Sequence, residues 1–392
     1  MTSPIEPLRV LCDLGVSAMK LDAKPVHRRG AKDAEIMRRE LSRESGFRMP
    51  AEWEPHEATW IGWPHNRTDW PGKFAAIPWV YAEIVKKLTA GETVRVIVNS
   101  EAHEARARLV LSRADVDLTR VEFFRFPTNR GWTRDFGPMF LKRDGRRREV
   151  AIARFRFNGW AKYRDWQKDD QVPERAARAL GCRLISARKG NRDVVLEGGA
   201  IDVNGRGTLI TTEECLLDKK IQTRNPELSR GDIESAFREN LGVTNVLWLG
   251  RGIEGDDTHG HVDDLCRFIN ARTVVMCREK NPRDYNYAVL EENIDRLNSM
   301  RLEDGSKIEV VPIPMPASLL FDGRRLPASY ANFYIANAAV LVPTFNDPND
   351  RVALGMLGEL IADRPVAGIH AVDLAWGLGT IHCMTQQQPT RE

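Results

Sequence analysis

The chain has 392 residues, 42% hydrophobic and 29% charged, an ordinary soluble globular composition with enough apolar residues for a large core. The net charge of +3 lies entirely in residues 1–48, which hold ten Lys/Arg against seven Asp/Glu, while residues 49–392 balance at 48 against 48. A neutral body with no bilayer-length apolar run argues against nucleic acid or membrane as the main partner and fits a small-molecule enzyme.

In chain order, residues 1–48 mix charge, Gly and small residues with weak periodicity, and read as a poorly ordered extension or a short helix near 33–44. No basic-then-apolar leader opens the chain, because residues 1–20 are interrupted by Glu6, Arg9 and Asp13; a cytoplasmic location is expected. The body, read as a single domain over 49–392, begins at Met49-Pro50-Ala51-Glu52-Trp53-Glu54-Pro55-His56. Five of the ten Trp fall between Trp53 and Trp79, a cluster best explained by packing. Residues 58–98 read as strand, helix and strand, at 58–63, 75–88 and 94–99.

A hairpin signature then recurs. The first copy starts at Gly137, turns at Asp144-Gly145 and returns over 150–157. The second starts at Ala200, turns at Asn204-Gly205 and returns over 208–212. The third starts at Leu265 and returns over 273–277, and the fourth starts at Asn332 and returns over 339–343. Helical stretches follow at 172–180, 229–241, 282–300 and 351–362, each leading to a further strand, at 182–187, 246–250, 307–312 and 366–372. With residues 58–98 this makes five ββαβ-like modules, an α/β fold whose repeats could close into a ring with strands inside and helices outside.

Polar clusters sit just before or at the hairpin starts: Trp132-Thr133-Arg134-Asp135, Glu197-Gly198-Gly199, His261-Val262-Asp263-Asp264 and Ser329-Tyr330. Equivalent positions in a ring face one axis, so Asp135, Glu197, His261 and Asp263 are expected to converge. Cys383 comes where the ring should close. It sits in the glycine-rich, polar run Gly377-Leu378-Gly379-Thr380-Ile381-His382-Cys383-Met384-Thr385-Gln386-Gln387, poor core material near a chain end. Cys182, Cys215, Cys266 and Cys277 lie in apolar, strand-like contexts and read as small buried hydrophobes in a reducing compartment. A Cys-His pair supports nucleophilic catalysis. Additional carboxylates would repel the oxyanion formed by attack on an amide; they suit a planar cation such as a guanidinium, whose fixed fork of N–H donors a carboxylate pair can hold.

Trp132-Thr133-Arg134-Asp135-Phe136-Gly137-Pro138 resembles the WxRDxGP signature of agmatine deiminases and their bacterial peptidyl-arginine deiminase relatives. Leu196-Glu197-Gly198-Gly199, the run 257–263 and the run 377–389 are similar to that family's EGG, DTxGHxD and GGGxIHCxTQQxP elements, in the same order. The resemblance covers about residues 46–389. It implies a five-module α/β-propeller with Cys383 as nucleophile, His261 as general acid/base, and Asp135 and Asp263 clamping the guanidinium. It further implies that Trp132 shapes the substrate channel, that Asp257 bears on substrate or clamp, and that Glu197 supports the site. No metal or organic cofactor is implied. The expected reaction is agmatine to N-carbamoylputrescine and ammonia, in polyamine metabolism. A homo-oligomer, dimer or tetramer, is compatible with it.

Two departures stand out: Leu378 replaces the second Gly of the family's triple, and His259 adds an imidazole before Gly260. The alternatives are a peptidyl-arginine deiminase producing citrulline and, remotely, a metal-dependent hydrolase using the HxHxD run of His259, His261 and Asp263, for which further His ligands are lacking between His261 and His370. Asp256 and Asp264 also fit as capping or solvated carboxylates.

Overall fold

The computed structural model describes residues 46–145 and 148–391. The helix expected near 33–44 lies outside the described residues, as does Cys12. The fold is mixed α/β. Four stretches repeat one pattern: a short strand, an antiparallel return, a helix and a strand parallel to the return.

In the first, Met139–Arg143 pairs antiparallel with Glu149–Arg154, which pairs parallel with Arg183–Ser186. In the second, Asp202–Val203 pairs with Thr208–Thr212, which pairs with Asn245–Leu249. The third joins Cys266–Phe268, Thr273–Arg278 and Glu309–Pro314, and the fourth joins Tyr334–Ile335, Val340–Thr344 and Val366–His370. The returning strands Thr208–Thr212 and Val340–Thr344 are almost wholly buried, as expected of strands covered on both faces.

Local chemistry sets the helix limits. Val172–Leu180 carries Pro in its first turn and stops at Gly181, whose φ is 63°. Arg230–Leu241 starts from a capping box between Ser229 and Asp232 and stops at Gly242, with φ 70°. Both helices match the stretches expected from sequence to within one residue. The helices Tyr285–Ser299 and Asn349–Leu360 lie a few residues inside or beside theirs.

A fifth sheet joins the two ends of the body. Its strand order is Thr385–Pro389, His56–Gly62, Thr93–Val98 and Val121–Arg125. The first pair is antiparallel and the other two are parallel, connected by the helices Ile77–Leu88 and Glu101–Arg113. The second of these helices and the strand after it went unread in the sequence. Phe47–Arg48, assigned there to the extension, pairs with Met139–Arg143 as an edge of the first sheet. The first sheet therefore takes in residues just before Met49.

The tryptophan cluster divides as packing would have it: Trp60, Trp63 and Trp70 are buried, and Trp79 is 47% exposed. Four short helical turns stand at the entrances to strands: Thr133–Phe136, Gly198–Ala200, Val262–Asp264 and Ile381–Met384. The first lies beside the second and the fourth, and the second beside the third. These turns carry the polar clusters of the sequence.

Candidate active site

Gly199 marks the centre of the site. A β-carbon there would stand 2.7 Å from His261 Nδ1, 2.8 Å from Asp135 Oδ1 and 3.0 Å from Asp263 Oδ2. Gly198 is as constrained, since a β-carbon would meet the Arg134 carbonyl at 2.1 Å. Close approach, rather than the positive φ that two successive glycines suggest, explains this pair. Around them, His261 Nδ1 lies 3.7 Å from Asp135 Oδ1 and 4.0 Å from Asp263 Oδ1, and its Nε2 lies 3.8 Å from Glu197 Oε2. The Cys383 thiol points at Asp263 Oδ2, 3.7 Å away. Asp135, Glu197, His261, Asp263 and Cys383 are thus gathered from four separate turns, and all are buried.

Each carboxylate is held differently. Asp135 accepts from Trp160 Nε1 at 2.9 Å and from the Gly199 N–H at 3.0 Å. Its pKa is raised to about 6 by burial, with the nearby Asp263 and Glu197 adding to the rise and His261 opposing it. Glu197 is drawn down to about 2 despite burial, because the Arg224 guanidinium donates to it at 3.1 Å and His261 lies on its other side. Asp263 is lowered against its burial by the hydrogen bond to His382, while Asp264 beside it is pushed well up by burial and by Asp263. The two neighbours are therefore pushed in opposite directions, Asp263 toward the ionised form and Asp264 toward the protonated one.

His261 is raised well above an ordinary imidazole: burial opposes its charge, but Asp135, Cys215 and Glu197 outweigh burial. The Cys383 thiol is pushed well up by burial, then by Asp263, Asp264 and Asp135. A cation entering among these carboxylates would reverse that last effect.

Asn332 organises the cysteine turn. Its Nδ2 donates to Asp264 Oδ1 at 3.0 Å and to Cys383 Sγ at 3.2 Å. Its Oδ1 accepts from Thr380 Oγ1 at 2.7 Å and the His382 N–H at 3.0 Å. His382 bridges Asp263 Oδ2 at 2.7 Å and Glu52 Oε2 at 2.9 Å through its two ring nitrogens. Glu52 in turn receives Arg134 and Arg267. Arg134 is therefore an interior cation paired with Glu52.

Cys383, Asp135, Trp132 and Asp257 line one cavity of about 220 Å³, together with Asp69, Arg130, Trp160, Tyr163 and Leu378. Trp132 packs on Trp70 with ring centroids 5.1 Å apart. Asp257 accepts from Tyr163 Oη at 2.7 Å and from Lys162 Nζ at 2.5 Å. Glu197, His261 and Asp263 are not among the cavity's lining residues; His261 and Asp263 reach it through their contacts with Asp135 and Cys383 around Gly199. Asp256 caps its own loop, accepting from the backbone N–H groups of Thr258, Gly260 and His261. The HxHxD ligand set is not assembled: His259, with φ 63°, turns away and its Nε2 contacts Asp218 Oδ2 at 2.9 Å.

Residues 48–389 match the family model of the Porphyromonas-type peptidyl-arginine deiminases. The chain belongs to this family. Agmatine deiminase of Stutzerimonas stutzeri is 36% identical over 371 residues, spanning 88% of this chain and 96% of the relative. The structure of agmatine deiminase from Enterococcus faecalis superposes with a TM-score of 0.81 at 30% identity, covering 89% of this chain and 97% of that one. A cysteine-to-serine form of C. jejuni agmatine deiminase with substrate bound superposes with a TM-score of 0.76 at 28% identity, covering 88% and 96%.

Several participants escaped the sequence reading. Asn332 was noted only as a hairpin start, although it follows directly on the fourth polar cluster. His382 stands beside Cys383 in the run 377–387, with nothing local to mark it as a partner of Asp263. Cys215, read as a plain core thiol, has its Sγ within 4.8 Å of ligand atoms of both His261 and Glu197. Trp160 and Arg224 belong to no motif, and only the fold brings them in.

Proposed function

We propose that the protein is an agmatine deiminase-type hydrolase, converting a guanidinium substrate to a ureido product and ammonia through a covalent intermediate on Cys383. The observation that carries this reading is the convergence of an imidazole and two carboxylates around Gly199 with the thiol against Asp263, the thiol and Asp135 opening onto one cavity. Asp135 and Asp263 hold the guanidinium, each accepting from its N–H fork. The cation offsets the carboxylates that keep the thiol protonated, and Cys383 gives its proton to solvent through the cavity and attacks the guanidinium carbon. His261, as imidazolium, protonates the departing nitrogen, and ammonia leaves an amidino-thioether. The neutral imidazole then takes a proton from water, the hydroxide adds to the same carbon, and the C–S bond breaks to release the ureido product and the thiolate.

The cavity supports agmatine over arginine. Three carboxylates line it, Asp69, Asp135 and Asp257. Arg130, the cation among its described lining residues, is already paired with Asp69 and Asp165. A substrate carboxylate finds no unpaired cation among the described lining residues, whereas a second substrate cation finds carboxylates at Asp69 and Asp257, which it would share with Arg130 and Lys162. Trp132 shapes the channel, Asp257 bears on the far end of the substrate, and Glu197 with Arg224 orients His261 from behind. The pairing of the last strand, Thr385–Pro389, with His56–Gly62 supports a ring of five modules around this site, within one catalytic domain from Phe47 onward. The reaction needs no metal or organic cofactor, and a cytoplasmic setting suits its thiol.

Incubation with agmatine, free arginine and an arginine peptide, with release of ammonia as the readout, tests the proposal. Turnover of agmatine well above the other two is expected. Preference for the peptide would move the assignment to protein-arginine deimination, and turnover of none would overturn it.

A further inference from the structure

The three positions that open the cysteine loop are not equivalent. At Gly377 a β-carbon would stand 2.3 Å from Trp70 Nε1 and 2.9 Å from Trp132 Cζ2; at Gly379 it would stand 2.9 Å from Trp132 Cζ3 and 3.1 Å from Cys383 Cβ. Both must be glycine for the loop to lie against the tryptophans. Between them, Leu378 lines the cavity that holds Cys383. Its backbone has φ 67°, in the left-handed region that glycine enters freely and leucine does not. The turn that imposes this is closed by a hydrogen bond from the Leu378 N–H to the Ala375 carbonyl at 2.9 Å. Leu378 is only partly buried: it packs at the margin of the core and also lines the cavity, so the core takes up only part of a large side chain held in a conformation suited to glycine. Strain of this kind is found where a site requires it.

We infer that Leu378 is a specificity-determining residue. Its side chain forms a wall of the cavity beside Trp132, where the carbon chain of a substrate held by Cys383 must pass. It packs against an unbranched, unsubstituted alkyl chain and crowds one that bears a carboxylate or a peptide group. This rests on the reading that the guanidinium is bound beside Cys383, and it assigns the discrimination to a residue outside the catalytic set.

The test compares kcat/KM for agmatine, arginine and an Nα-acyl arginine amide in the wild type, Leu378→Gly and Leu378→Ala. Lost apolar contact of this size is worth tenfold or more in discrimination. The preference for agmatine over the substituted substrates should therefore fall by at least about tenfold in both variants. Leu378→Gly, which also relieves the backbone, should melt no lower than the wild type. A uniform change for all three substrates would mean that Leu378 only supports the loop, and would overturn the inference while leaving the proposed function standing. Wild-type failure on every guanidine would bring down both.

Discussion

At the residue scale, the adjacent pair Asp263 and Asp264 gives the sharpest division of labour. Asp263 is drawn toward the ionised form, held by His382 and facing the thiol; Asp264 is pushed toward the protonated form, held by Asn332. Asp264→Asn reproduces a neutral side chain with the same acceptor toward Asn332, so steady-state kinetics should find kcat/KM within a few-fold of wild type. Asp263→Asn removes a charge from the guanidinium clamp and should cost about 10²–10³ in kcat, the scale of losing one preorganised partner of a reacting group. Equal losses in the two variants would contradict the assignment. Sequence spacing brought Asp263 forward and left Asp264 as a capping group. It could not apportion the proton between them, because burial and the partners His382 and Asn332 lie 119 and 68 residues away.

At the element scale, the cysteine loop depends on the tryptophans beneath it. Gly377→Ala would force a methyl group into Trp70 and Trp132. Overpacking of this kind costs about 1–3 kcal/mol. A thermal melt should show a loss of that order, and kcat should fall as well, because the same shift moves Trp132 in the cavity wall. An unchanged melt would mean that the loop does not lie against Trp70. The elements themselves were largely legible: hairpin turns at Asp144-Gly145 and Asn204-Gly205, and helix ends at Gly181 and Gly242, are local signals that tertiary packing did not override. What the sequence missed has a physical reason. Glu101–Arg113 is weakly amphipathic, with His103, Ala107 and Leu111 as its buried residues, so no apolar stripe announced it. The pairing of Phe47–Arg48 with Met139–Arg143 spans some 90 residues and leaves no local trace. Leu378 looks like a mild substitution in a glycine run; its cost becomes visible only through φ.

At the scale of the whole molecule, the buried carboxylates set how stability depends on pH. Asp135, Asp69 and Asp169 have folded-state pKa values of about 6, 7 and 8, each raised chiefly by burial from 3.8. In these windows the folded state holds more protons than the unfolded state, so stability falls as pH rises from about 4 toward 8. Glu197, held at about 2, works in the opposite sense: the stability it contributes is present above its unfolded value of 4.5 and is lost as pH falls toward 2. Calorimetric melts should therefore peak in mildly acidic buffer and decline toward pH 8. Asp69→Asn should flatten that decline, since the full shift at Asp69 corresponds to several kcal/mol at roughly 1.4 kcal/mol per pH unit. A melting temperature that climbs steadily from pH 5 to 8 would show that these groups ionise freely in the folded state.

The central claim is that Cys383 bonds to the guanidinium carbon of the substrate. The most direct measurement is mass spectrometry of acid-quenched enzyme during turnover of agmatine, followed by digestion and localisation of the adduct. The account predicts an amidino adduct on the peptide bearing Cys383, formed and lost within a catalytic cycle, and neither adduct nor turnover in Cys383→Ala. Full turnover in that variant, or an adduct on Cys215 in its place, would contradict it.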